Sequence, residues 1–232
     1  MSSLLQEKTL KPILTISAIV FGAFVFVASV HAQSVPFTIK AFTDVKKTSV
    51  NFTAIDYLRE QNIVRGYPDG SFKETNRVRR SEFITLATNP FFLDPISKED
   101  CIATHITASG TTVFFSDVPR ESWFATPVCI AKVRNVLDGY PDGTFRGNDF
   151  ISFVEGAKIL SNVFVGTDRN DTDPVEWYKS YVQWLSDQKA IPTSVRSLSQ
   201  PLTRGEMAEM IWRLKTNNRT KASATVATIA KK

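Results

Sequence analysis

Histidine and cysteine are scarce in this chain of 232 residues, at two apiece. His31 and His105 stand far apart, which disfavours an imidazole-rich metal centre, so neither a metal nor another cofactor is expected. Long apolar runs are equally rare. One extends from Ile13 to Val30, and no other segment approaches the length of a membrane span. Acid is absent from the last 18 residues, where Lys215, Arg219, Lys221, Lys231 and Lys232 carry much of the formal net charge of +5. Residues 33–214 are therefore close to neutral, which excludes a nucleic-acid platform, because such a surface needs a basic face. The tail, rich in Thr, Ala, Lys and Asn, reads as disordered.

What the chain does contain is a repeat. Gly-Tyr-Pro-Asp-Gly occurs at 66–70 and again at 139–143, an offset of 73 residues that holds without a gap from Phe42 to Thr88. Phe42-Thr43-Asp44-Val45 falls on Phe115-Ser116-Asp117-Val118, Ser71-Phe72 on Thr144-Phe145, and Glu82 on Glu155. Laying Trp177 on Trp123 reveals a third, degenerate copy, with Asp171 on Asp117, Val182 on Val128 and Ile191 on Leu137.

Each copy reads as helix, turn, helix. Ile55, Leu58 and Ile63, like Val128, Ala131 and Val136, keep apolar side chains on one helical face. Pro-Asp-Gly then turns the chain, and Arg80-Ser81-Glu82 and Thr203-Arg204-Gly205-Glu206 open a second helix. Glu82, Glu155 and Glu206 sit where they can cap that helix, and Asp44, Asp117 and Asp171 are expected to cap the first one.

This ordered set of motifs, from Phe-x-Asp-Val through Gly-Tyr-Pro-Asp-Gly-(Ser/Thr)-Phe to the (Ile/Leu)-Thr-Arg-x-Glu box, resembles the S-layer homology domain over about residues 42–214. The resemblance implies a mainly α protein of three tandem repeats in a pseudo-threefold arrangement. It also implies grooves between repeats that bind an anionic cell-wall polysaccharide. The expected layout is a signal peptide or membrane anchor at 1–32, repeats at 42–93, 115–166 and 167–214, a connector at 94–114, and the tail at 215–232.

Gripping an acidic polymer calls for a fixed, always-charged fork donor, the chemistry of Arg. Arg80 and Arg204 hold that position in the first and third copies, each at a helix start whose N–H groups add a positive field, whereas the second copy has Phe153. Phe153→Arg is thus expected to add a site. Trp123 and Trp177 share one repeat position, where the first copy has Val50, and fit either a sugar-stacking platform or a core plug. Asp69-Gly70 and Asp142-Gly143 build the turn, which the resemblance places at the groove rim. The third copy replaces the turn word with residues 192–196, so its groove must differ.

Lys8 and Lys11 before the apolar run, and Val30-His31-Ala32 after it, mark an exported protein cleaved after Ala32; an uncleaved anchor is the alternative and the sole expected link to a membrane. Export makes one disulfide, Cys101 to Cys129, the expected state of the cysteines. The run at 168–173 alternates oxygen ligands but lacks the glycine and closing glutamate of a calcium loop. The segments outside the repeats are too short to house a catalytic site, so the chain is expected to be a non-enzymatic anchor at the cell surface. The alternative is a structural module that binds other surface proteins after losing polymer affinity.

Overall fold

The computed structural model describes residues 40–88, 91, 95–166 and 175–229, all within one compact unit, Ile39–Lys232. The apolar segment at 13–30, its cleavage point, Asp171 and the run at 168–173 lie outside the described residues. The protein is mainly helical: α1 (Phe52–Glu60), α2 (Arg80–Thr88), α3 (Pro95–Thr104), α4 (Ala125–Val133), α5 (Phe153–Val165), α6 (Lys179–Asp187), α7 (Arg204–Thr216) and α8 (Val226–Ile229). Among the described residues no strand forms, and β contacts are isolated bridges. No helix of the described residues is long and apolar enough to cross a membrane.

The helices begin and end for local reasons. α5 and α7 each open with a capping box, Ser152 with Glu155 and Thr203 with Glu206, which satisfies two backbone donors reciprocally. α1 buries Ala54, Ile55 and Leu58, and α6 buries Tyr181, Val182 and Leu185, the one-sided spacing of an amphipathic helix. Beyond α1, α4 and α6 the chain reverses through left-handed residues at one repeat register, Asn62, Asn135 and Lys189.

Helices of different copies cover one another's apolar faces. α2 packs on α4, α5 on α6, and α7 returns to pack on α1. At the centre, three box segments close a ring of backbone hydrogen bonds. The Val78 N–H donates to the Leu202 carbonyl (2.9 Å), that of Leu202 to Ile151 (2.9 Å), and that of Ile151 to Val78 (3.1 Å). All three side chains are wholly buried.

The turn word is fixed by the residues around it. Gly139 has φ +82°, and a Cβ there would overlap the Phe115 ring, which lies against Phe145 with centroids 6.0 Å apart. The same glycine-on-ring approach joins Gly66 to Phe42. Asp44 and Asp117 do not cap the first helices, contrary to the sequence expectation. Asp44 accepts from the N–H groups of Phe72 (2.7 Å) and Lys73 (2.8 Å), and Asp117 from those of Phe145 and Arg146 (both 2.7 Å). These carboxylates clamp the chain leaving the turn, 28 to 29 residues downstream. Both turn-exit residues, Lys73 and Arg146, have positive φ, and two backbone donors on one carboxylate fit that tight reversal.

Two segments depart from their expected character. The connector contains α3, which packs on α4, and a disulfide joins Cys101 to Cys129 with S–S 2.02 Å. The tail is not disordered over residues 217–229. It lies against the body, with Ala224 and Ile229 buried and the Ala224 N–H donating to the Ile191 carbonyl at 3.0 Å. Its composition is poor in large apolar groups, but backbone hydrogen bonds and the burial of Ile229 hold it in place.

Candidate functional site

The box glutamates are divided between two tasks. One carboxylate oxygen caps its own helix: Glu155 Oε2 accepts from the Ser152 N–H (2.9 Å), Glu206 Oε2 from Thr203 (2.8 Å), and Glu82 Oε2 from Arg79 (2.9 Å). The other oxygen turns toward a neighbouring copy. Glu155 Oε1 accepts from the Tyr140 hydroxyl and from Arg80 Nη1 (2.9 Å), and Glu82 Oε1 from Tyr67 (3.5 Å) and Arg204 Nη1 (3.1 Å). Tyr67 and Tyr140 belong to the turn word, so each node joins an Arg of one copy to the Tyr and Glu of another.

Arg80 and Arg204 are consequently not exposed forks. They are 6% and 5% exposed, and each also donates through Nε to a turn carbonyl, Arg80 to Phe145 (3.0 Å) and Arg204 to Phe72 (2.8 Å). Their guanidinium planes lie 4.9 Å from the Tyr140 and Tyr67 ring centroids respectively. What remains of each is Nη2, which has no protein acceptor among the described residues. Nor are the helix-start amides free to hold an anion. Those of Arg80 and Ser81 donate to Asp149 and Gly147, and those of Arg204 and Gly205 to Asn76 and Glu74, at 2.8 to 3.0 Å. The expected convergence of guanidinium and bare N–H groups on one carboxylate is absent, because the neighbouring copy's returning loop occupies that place.

A cavity of about 240 Å³ lies where Arg80 meets the second turn word and the start of the third copy; Arg80, Gly139, Tyr140, Glu155, Lys158 and Trp177 are among its lining residues. Lys158 donates to Asp138 at 2.9 Å while its ammonium stands 5.7 Å from the Trp177 ring centroid. One wall thus offers a cation and an aromatic face together. Burial and the hydrogen bond to Glu155 push the Tyr140 hydroxyl up to about 12, so it stays a donor. Burial works to raise the Glu155 carboxyl, but the Tyr140 hydrogen bond and the Arg80 charge hold it below its ordinary value. The cavity therefore presents a neutral phenol, a compensated carboxylate and two cations, an arrangement suited to a sugar ring carrying an acid group.

The remaining expected residues are distributed as follows. Trp123 is 62% exposed and meets Phe124 edge-on at 5.4 Å, so it is no core plug; Trp177 is half-buried at the cavity. Asp69 accepts from the Ser71 N–H and hydroxyl, and Asp142 from those of Thr144, which holds both carboxyls down at about 2. Gly70 and Gly143 supply φ of +77° and +78° to the same turns. Phe153 is wholly buried. Phe153→Arg would therefore bury a guanidinium, and the expectation that it adds a site does not fit this geometry. The third copy has lost its Tyr as well, and Ser194 (2.7 Å) and Gln200 (3.1 Å) hold Glu206 Oε1 instead. The absent Arg and the absent turn word thus belong to one junction. Tyr67, Tyr140 and Lys158 escaped the sequence reading; the identity of Tyr in both turn words, paired with an invariant box Glu, is the signal that points to the first two.

Comparison with known proteins agrees with these motifs. A family model described as S-layer homology domain matches residues 41–84 and 114–153, the first copy through its box and the second as far as Phe153 within its box. The cellulosome-anchoring protein of Acetivibrio thermocellus is 30% identical over 122 residues, which is 52% of this chain and 25% of that protein. Cell surface glycoprotein 1 of the same organism is 26% identical over 120 residues, 52% of this chain and 5% of that protein. An endoglucanase of Bacillus sp. strain KSM-635 is 27% identical over 159 residues, 68% of this chain and 15% of that protein. The chain spans a quarter or less of the length of these relatives. With its turn words and box glutamates, the chain carries, at residues 41–84 and 114–153, two segments that match the S-layer homology domain.

Proposed function

We propose that this chain anchors to the bacterial cell wall by binding an anionic wall polysaccharide, without catalysis, in grooves between three repeats set around a pseudo-threefold axis. The repeats span 42–93, 115–166 and 167–214, and the chain is exported through its apolar N-terminal segment, cleaved after Ala32 or retained as an anchor. One observation carries the reading: the cavity at Arg80 combines an unpartnered guanidinium nitrogen, Lys158 and the Trp177 face. Repeat register supplies a partial set at Arg204, with Tyr67, Glu82 and the exposed Trp123, but with Thr85 in place of Lys158. Asp69-Gly70 and Asp142-Gly143 shape the rim. The names of the relatives, an anchoring protein and a surface glycoprotein among them, support a surface location for this chain too.

The test is co-sedimentation of the purified protein with cell-wall sacculi, before and after chemical removal of the secondary polymer. Retention that depends on the polymer is expected. Lys158→Ala and Trp177→Ala, which leave the inter-repeat ion pairs in place, should each cost about 1.5 to 3 kcal/mol of binding. Retention that survives polymer removal would instead favour a protein or peptidoglycan partner.

A further inference from the structure

The third groove, between the last copy and the first, has a different lining. In repeat register Phe153 stands for Arg80, Glu209 for Lys158, and Val50 for the tryptophans. Both cations of the Arg80 cavity are lost and an acid, 3% exposed, takes one of their places. This groove is also filled. Lys221 Nζ donates to Glu209 Oε2 (2.9 Å) and to the Val50 carbonyl (2.8 Å), at the position a tryptophan holds elsewhere. Ser223 Oγ accepts from the Ile191 N–H (3.2 Å) and donates to the Ile191 carbonyl (2.9 Å), and the Ala224 N–H adds a third contact to Ile191.

Arg213 completes the floor. It is 1% exposed, and all five of its N–H donors have acceptors. Nε (2.9 Å) and Nη2 donate to Glu209, Nη1 to the carbonyls of Lys189 (2.7 Å) and Lys221 (3.0 Å), and Nη2 also to that of Ala222 (2.7 Å). A buried guanidinium aimed at main-chain carbonyls recognises an extended backbone, and an acid beside it selects a cationic side chain on that backbone. Ala222, Ser223 and Ala224 are small enough to lie close to the floor.

We propose that the third groove is a binding site for an extended peptide bearing one lysine followed by small residues, and that residues 219–224 of this chain are its exchangeable occupant. The proposal uses the three-repeat register described above but does not require any affinity for polysaccharide. Its charge inverts that of the Arg80 cavity, so this groove takes no acidic polymer.

The experiment uses the full chain and a fluorescein-labelled peptide of sequence 217–229, followed by anisotropy. Lys221→Glu sets an acid against Glu209 and releases the segment, seen as faster tryptic cleavage after Arg219; Ala224→Asp releases it while keeping Lys221. In both variants near-ultraviolet circular dichroism reports that the body is folded. The peptide should bind either released variant at least tenfold more tightly than it binds the parent, whose groove is occupied. The same peptide with Lys221→Glu should not bind, and an oligogalacturonate should not compete. Equal binding to parent and variants, no binding to a released variant, competition by the acidic oligosaccharide, or cleavage no faster in either variant would each overturn the proposal. Sacculus retention is not among these readouts, so failure of the polymer reading leaves this test intact.

Discussion

Arg204 donates to Glu82 across 122 residues of sequence, at 3.1 Å, and so ties the start of α7 to the start of α2. The pair is nearly dry on one side: the Arg204 side chain is 6% exposed and that of Glu82 is 22%. Removing one partner leaves the other short of its charge-assisted hydrogen bond. Arg204→Met, which keeps the volume, should lower stability by about 2 to 3 kcal/mol in urea unfolding. The double variant with Glu82→Gln should lose less than the two single changes added together, because the coupling is already gone. Additive losses would show that the two residues act separately.

Gly139→Ala and Gly143→Ala differ in a way that isolates ring packing. Both positions have positive φ, which disfavours alanine, but only at Gly139 does a new Cβ meet a ring, that of Phe115. Gly143→Ala should cost about 1 kcal/mol, and Gly139→Ala clearly more, with a loss of near-ultraviolet signal as Phe115 is displaced. Equal midpoints for the two variants would contradict the close approach.

Acid should weaken the junction at Arg80. Despite burial, Tyr140 and Arg80 hold the folded Glu155 carboxyl below its ordinary value of 4.5, so at low pH the unfolded chain binds more protons than the folded one. The Glu155 contribution is therefore complete above about 4.5 and is lost as pH falls through the lower folded value. A plot of unfolding free energy against pH should slope downward into acid below that point. Glu155→Gln should flatten part of the slope, and an unchanged slope would refute the assignment.

Reduction of Cys101–Cys129 frees a connector that is otherwise held to α4 by helix packing. With the two cysteines 28 positions apart in sequence, loop closure stabilises the fold by roughly 3 kcal/mol. The thermal midpoint should fall with reductant, and the Cys101→Ser, Cys129→Ser variant should match the reduced parent. α3 and α4 should exchange amide hydrogens faster in both.

Local features were legible in the sequence. Apolar spacing marked α1 and α4, the Thr-Arg-Gly-Glu box marked the start of α7, and the turn words marked the reversals, because each depends on neighbours a few residues away. Partnerships at long range were not. Arg80 looks like a surface cation until Phe145 and Glu155 are brought to it, and Asp44 looks like a helix cap until its two N–H donors arrive from beyond the turn. The tail misled composition-based reading for a related reason: Arg213 binds its main-chain carbonyls, which have no side-chain signature.

The ring that joins Val78, Ile151 and Leu202 sets a timetable for the protein's birth. Its last member is made 124 residues after its first, and α1 waits for α7 in the same way. A chain made N-terminus first cannot close this ring until Leu202 has been added. The early copies thereby stay open while the chain lengthens, and folding comes as one late, concerted event. A chain stalled before Leu202 leaves the ring open and offers its unclosed helix faces to proteases.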